Sequence, residues 1–201
     1  MQVDPTTSNV VDVYHLLTGI VVPRPIAWVS TISTGGVPNL APFSFFNLFG
    51  ANPPVVVFSP TLKRDGTKKD TLRNIEATGE FVIHSTVEAL AETVNLTSKE
   101  LAPEASEFEL AKLAMIPSSV VKPMRVAVAA TALECKVMQI IPTGTGPIAG
   151  NLVIGKVVMI HVNDDVLDEA GRVDPRKLQA VARLGAEYWC KTQDLFELKR
   201  P

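Results

Sequence analysis

Lys63, Arg64, Lys68 and Lys69 place four of the chain's nineteen cations within seven residues, directly before a stretch that reads as a helix, Thr71 to Ala77. Cations at a helix N-terminus oppose the partial positive charge of the macrodipole. A bound anion would resolve that conflict. Free N–H groups after Asp70 and Thr71, with Lys69 and Arg64 beside them, would form a phosphate site without a glycine-rich loop. Asp70 or Thr71 would equally serve as the helix N-cap, and the cations as a solvated loop.

A second pattern is Asn39-Leu40-Ala41-Pro42-Phe43-Ser44-Phe45-Phe46. Pro42 lacks a backbone donor and biases Ala41 to extended geometry, so a strand beginning at Val37 is expected to break here. The bend that follows sets Ser44 and Asn47 among Phe43, Phe45, Phe46 and Phe49. Such a bend can offer backbone polar groups to a flat heteroaromatic ring while phenyl groups exclude water. Four phenylalanines so close together would also suit a core. Ser30 and Thr31 put hydroxyls in an otherwise apolar strand, and Ser59 ends another.

Other chemistries lack their motifs. There is no GxGxxG after a strand, no GxxxxGK[ST], no HExxH and no GxSxG. His15, His84 and His161 stand far apart with no ligand partner at helical or hairpin spacing, and read as satisfied side chains of the fold; no metal is assigned. Cys135 and Cys190 show no CxxC pairing, as expected of packed thiols in a reducing compartment.

The elements that must position these residues are mainly strands. Pro25 to Ser33 is rich in β-branched and aromatic residues, Gly35-Gly36 signals a turn, and Val37 to Leu40 returns. Val55 to Phe58, Glu80 to Ser85, Val126 to Ile141 and Asn151 to Val162 complete at least six strands, the last two long enough to coil into a barrel. Helices are expected at Val10 to Leu17, Thr71 to Ala77, Val87 to Leu96 and Glu107 to Leu113. No βαβ rhythm appears, so a doubly wound parallel sheet is not expected. The whole chain, residues 1–201, reads as one domain, with 87–113 as a helical excursion from the barrel.

Composition agrees with a globular protein: 201 residues, 46% hydrophobic and 20% charged. A formal charge of −2 carries no nucleic-acid footprint. The N-terminus shows no signal-peptide pattern and no stretch is apolar for long enough to span a bilayer, so a soluble, cytoplasmic protein is expected.

Taken in order, Arg24-Pro25-Ile26-Ala27-Trp28-Val29-Ser30-Thr31, Asn39-x-Ala41-Pro42-Phe43-Ser44, Pro53-Pro54 and Lys69-Asp70-Thr71-x-x-Asn74 resemble the flavin reductase-like FMN-binding family. The similarity runs from about Pro23 through Val162, with an echo in Arg183-Leu184-Gly185-x-x-Tyr188. The resemblance implies a mainly β fold, a Greek-key split β-barrel with helical excursions, assembled as a homodimer. It implies that Ser30, Thr31 and the bend of Asn39, Ala41, Pro42, Phe43 and Ser44 hold the isoalloxazine and ribityl chain, with Trp28 in the same strand. Ser59, Lys69, Asp70 and Thr71 would hold the phosphate, joined by Arg64 from the basic cluster.

The implied activity is that of an FMN-dependent oxidoreductase of the NAD(P)H:flavin reductase type, passing hydride to flavin N5, with a monooxygenase as a possible partner. Hydride transfer is chemistry of the cofactor, so no catalytic side chain is assigned. Alternatives are a flavoprotein reducing another acceptor, such as a ferric complex or quinone, and a non-catalytic flavin-binding electron carrier. Many NAD(P)H-using members carry a Gly-Asp-His step before a late strand. Here the comparable stretch is Ala149-Gly150-Asn151, without histidine. FMN binding is therefore better supported than nicotinamide oxidation. The apolar run Leu184, Tyr188, Trp189 and Leu195 would contribute to the dimer surface.

Overall fold

Strand-forming segments with small or apolar residues at alternate positions dominate the computed structural model, which describes residues 1–200. Helix α1 (Val10–Ile20) leads into β1 (Arg24–Pro25), β2 (Ala27–Ile32), β3 (Pro38–Phe43), β4 (Phe46–Ala51) and β5 (Pro54–Phe58). Helix α2 (Asp70–Thr78), β6 (Glu80–Ser85), and the short helices α3 (Ala91–Leu96) and α4 (Glu107–Leu110) follow. Then come β7 (Met115–Ile116), β8 (Arg125–Val126) and two long strands, β9 (Thr131–Pro142) and β10 (Asn151–Val162). Helix α5 (Pro175–Leu178), β11 (Val181–Arg183) and β12 (Trp189–Lys191) close the chain.

Seven strands form one antiparallel sheet in the order β3-β2-β6-β9-β10-β5-β4, and β1, β11 and β12 make a small second sheet. The long pair β9 and β10 slips register between Ile154 and Gly155 and again between Val157 and Met159. Such bulges bend and coil a strand pair, which curls the sheet toward a barrel. Inside the curl, Val29, Phe43, Val56, Phe58, Phe81, Ile83 and Val153 form the main core. Phe58 stacks obliquely between Phe43 and Phe81, at ring-centroid distances of 5.4 and 5.3 Å. Leu72 and Ile75 of α2 join that core, so α2 packs against the barrel and its N-terminus is held beside β3. Gly79 ends α2 in the left-handed conformation, its N–H bonded to the Ile75 carbonyl, as a helix stop requires.

The outer face of β2 and β3 is also covered. Ile26, Trp28 and Leu40 pack against Val94 of α3, Phe108 of α4 and Val126. Polar groups staple the outer loops. The buried Glu134 carboxylate accepts from the N–H groups of Ser119, Val120 and Val121, at 2.6, 2.6 and 3.1 Å, and pairs with His161 Nε2 at 2.7 Å. Burial pushes this carboxyl up, but the donors outweigh it and hold its pKa below the ordinary value. His84 accepts from Val126 N–H at Nε2, so its Nδ1–H donates to the Trp28 carbonyl. Burial lowers its pKa to about 4, keeping it neutral. His84 and His161 are thus satisfied within the fold.

Three sequence expectations need correction. Strand β3 runs straight through Pro42, which pairs with Trp28; β3 is an edge strand, where a missing N–H can face outward without loss. The aromatic stretch after Phe43 is no single bend, because Phe46–Ala51 forms β4 and pairs with β5. Its phenylalanines divide: Phe43 is core, whereas Phe49 is 70% exposed. The expected strand from Val126 to Ile141 is broken between β8 and β9. Strands β6 and β10 occupy the expected residues.

Candidate functional site

The segment joining β5 to α2 is folded tightly enough to aim its cations. Leu62 is anchored in the core and donates its N–H to the Ala149 carbonyl at 2.9 Å. Lys63 and Thr67 close a turn (2.8 Å) at Gly66, whose φ of 81° suits only a residue without a side chain. Lys63, Arg64 and Lys69 thereby line one cleft of about 450 Å³. Lys68 does not join them; its ammonium pairs with Glu76 at 2.7 Å. The apolar lining comes from Val11 and Tyr14 of α1, with Leu62 and Ile148. His15, Thr61, Asp65 and Glu100 complete the cleft, and Glu100 pairs with Lys63 at 3.7 Å. A narrow arm of about 80 Å³, sharing Lys63, Lys69 and Glu100, runs on between Asn39, Ala41, Pro42, Phe43, Asp70, Thr71 and Glu107.

Helix α1 contributes because Arg24 holds it. The buried guanidinium donates to the carbonyls of Thr18 and Val21 (2.5 and 2.7 Å) at the end of α1, and to the Leu184 carbonyl (2.9 Å). A cation there also complements the helix C-terminus.

At the other end of the cleft, Lys69 occupies the N-cap of α2 and no side chain caps the helix. Neither expected cap acts as one. Asp70 is paired with Arg73, and Thr71 Oγ1 donates to Asn39 Oδ1 at 2.8 Å. Among the described residues, the N–H groups of Asp70, Thr71 and Leu72 find no acceptor. Partial burial lowers the Lys69 pKa; Glu100 works against the shift and Lys63 with it. An anion bound here would satisfy the helix terminus and favour the charged ammonium together.

The expected cofactor residues separate into two groups. Asn39, Ala41, Pro42, Phe43, Arg64, Lys69, Asp70 and Thr71 line the cleft or its arm. The other five do not. Trp28 is fully buried, its indole N–H donating to Thr97 Oγ1 at 2.9 Å, so no ring face is free for a ligand. Ser30 is buried on the same side of β2 and donates to the Met124 carbonyl. Thr31 faces α2, donating to Asn39 Oδ1 (3.1 Å) and accepting from Asn74 Nδ2 (3.0 Å). Ser44 Oγ accepts from Arg24 Nε at 3.3 Å, and Ser59 Oγ accepts from Asn151 N–H at 3.0 Å. These five are hydrogen-bonded within the protein around the cleft.

Glu107 is the cleft residue that sequence reading passed over. An acidic residue in the first turn of a helix capped by Ser106 looks like an ordinary complement to the dipole. Instead one oxygen, Oε2, accepts from both Leu40 N–H and Asn39 Nδ2, each at 2.9 Å. Asn39 in turn receives Thr71, so Glu107 sets the contact between β3 and the α2 terminus. Burial raises its pKa, bonds from Leu40, its own backbone and Asn39 oppose the shift, and Asp70 adds to it. A carboxyl raised in the folded state stabilises fully below its unfolded value and loses that contribution as pH climbs through the folded value. Glu107→Gln keeps an acceptor for both donors. It should therefore unfold at a higher temperature than wild type at pH 7, with the gain disappearing near pH 4.5, the ordinary carboxyl value. Thermal scans at both pH values check this; a variant less stable at pH 7 would show that the charge itself is needed.

The coiled antiparallel sheet, with a cleft beside it that has a cationic side and an apolar side, is a split barrel. Residues 19–181 match the family described as flavin reductase like domain, and the chain belongs to that family. Nitrilotriacetate monooxygenase component B from Bacillus cereus is 37% identical, with a TM-score of 0.91 over 98% of this chain and 99% of that one. The 2-nitrobenzoate 2-nitroreductase of Pseudomonas fluorescens is 31% identical, with a TM-score of 0.88 over 100% and 96% of the two chains. A Shewanella frigidimarina protein with a split barrel domain shares the fold at 21% identity, with a TM-score of 0.84 over 98% and 96%.

Proposed function

We propose that this chain binds FMN in the cleft and acts as an NAD(P)H:flavin reductase. The observation that carries the reading is the uncapped α2 terminus, with Lys69 at its cap position and Arg64 on the same cleft. The phosphate would bind there, and the ring would lie against Tyr14, Leu62 and Ile148. A volume of about 450 Å³ is within the range of small-molecule sites. Bound FMN would supply the hydride-accepting ring. The chain's own residues neutralise the phosphate, orient the ring and limit its contact with water. Likeness to a monooxygenase component supports delivery of reduced flavin to a partner monooxygenase.

A second reading, reduction of an acceptor by flavin that stays bound, draws on the similarity to a nitroreductase. Stopped-flow mixing of FMN-loaded protein with NADH and NADPH tests the electron donor. Rapid bleaching near about 450 nm, where oxidised flavin absorbs, is expected. No bleaching with either nucleotide would discard the reductase reading, and no FMN uptake in calorimetry would discard the cofactor.

The working unit is proposed to be a homodimer. Tyr14 of α1 and Phe45, just before β4, lie 6.3 Å apart between ring centroids. Leu17 and Ile20 of α1 and Leu48 and Phe49 of β4 are also exposed, Ile20 to 73%. The C-terminal run expected from sequence is only partly exposed. There Tyr188 and Leu195 are exposed, but Trp189 packs on the chain's own second core. Sedimentation of the loaded protein should give twice the 21.7 kDa chain mass. A monomer at all concentrations would reject the dimer.

A further inference from the structure

Ile148 lies in the loop between β9 and β10 with φ of 64°, a left-handed backbone conformation that β-branched residues almost never adopt. Elsewhere Gly36, Gly66, Gly79 and Gly171 take positive φ, as do Lys112, Gln179 and Ala186, none of which is β-branched. The nearby Gly146 and Gly150 do not, so this loop puts its least tolerable backbone geometry on an isoleucine. The geometry is held from both sides. Ala149 accepts from Leu62 N–H at 2.9 Å and donates to Gly146 at 3.1 Å. Gly150 accepts from Thr143 N–H and Oγ1, at 2.9 and 3.0 Å. Packing does not explain the residue type, because Ala149 touches the barrel core and Ile148 is absent from every core cluster. Ile148 does line the cleft, with Tyr14, Leu62 and Arg64.

Strain kept at a ligand cleft, where glycine would relieve it, indicates a side chain retained for the ligand. We infer that Ile148 is a flavin-binding residue that presses its apolar side chain on the flat ring of the bound flavin. The inference rests on the FMN reading and adds to it a ring contact distinct from the phosphate contacts of Lys69. Backbone strain gives it a test in which binding and stability move in opposite directions.

Ile148→Gly removes the contact and the strain together. Its unfolding temperature should equal or exceed that of wild type. Its affinities for FMN and for riboflavin should fall by the same factor, on the order of 5- to 30-fold for the loss of a substantially buried aliphatic side chain. Ile148→Ala should show the same fall in affinity while keeping a left-handed non-glycine backbone and gaining less stability. Unchanged flavin affinity in both variants would overturn the assignment. So would a lower unfolding temperature in Ile148→Gly, which would make the side chain a packing residue. Loss of FMN without loss of riboflavin would move the contact to the phosphate and overturn it as well. If wild-type protein bound neither flavin, the FMN reading itself would fall and the assignment with it. Wild-type binding with an indifferent Ile148→Gly would remove the assignment alone.

Discussion

Lys69→Ala should weaken FMN about 10- to 100-fold and leave riboflavin, which lacks the phosphate, nearly unchanged. The factor follows from one charge-assisted hydrogen bond, about 1.5 to 3 kcal/mol. Lys69 stands at the uncapped N-terminus of α2 in partly buried surroundings that lower its pKa. A phosphate there meets the ammonium and the helix terminus together, in a site less screened than open surface. Rising salt should therefore erode FMN binding more in wild type than in the variant. Lys68→Ala is the matched control, since that ammonium is committed to Glu76 on the surface. Isothermal titration of both flavins with both variants decides the matter. If Lys69→Ala changes FMN and riboflavin alike, the phosphate lies elsewhere. If Lys68→Ala has the same effect as Lys69→Ala, only general charge is being sensed.

The basic cluster was legible as an anion site because its conflict with the helix dipole is local in sequence. Which of its cations would converge was not. Lys68 and Lys69 are neighbours, and only the packing of Leu72 and Ile75 fixes the rotation of α2 that sends one to Glu76 and the other to the cleft. Ser30 and Thr31 show the opposite case. Adjacent residues on a strand face opposite sides of a sheet, so both could not have pointed into one site. Ser30 faces the Met124 carbonyl and Thr31 faces α2. Pro42 misled because its penalty depends on whether its strand has a neighbour on that side, a property of the whole sheet order. Glu107 and Ile148 were silent for related reasons. One acquires its partners across 67 and 68 residues of sequence, and the other's backbone angle leaves no trace in residue type. The starts of β6 and β10 follow Gly79 and Gly150 directly.

The long strand β10 carries the second large effect. Gly155 lies between the inward-facing Val153 and Val157, at the point where pairing with β9 slips register. A Cβ there would collide with the Phe81 ring, meeting its far edge and standing 2.9 Å from Cε1. That ring cannot swing aside cheaply, because it is fully buried and packed against Phe58 at 5.3 Å. Gly155→Ala should accordingly destabilise the fold by about 1 to 3 kcal/mol, the usual cost of overpacking a filled core. The higher strand propensity of alanine, roughly 0.5 to 1 kcal/mol, offsets only part of the collision. Trimming the ring tests the cause. Phe81→Leu alone loses core contacts and is destabilising, but it vacates the ring edge that the new methyl group strikes. The double variant Gly155→Ala/Phe81→Leu should therefore be more stable than the sum of the single changes allows, by at least about 0.5 kcal/mol. Additive effects in denaturant titrations would mean that Gly155 is required for the bend of β10 rather than for room beside Phe81. The barrel would then owe its closure at this point to backbone freedom and not to the ring that glycine admits.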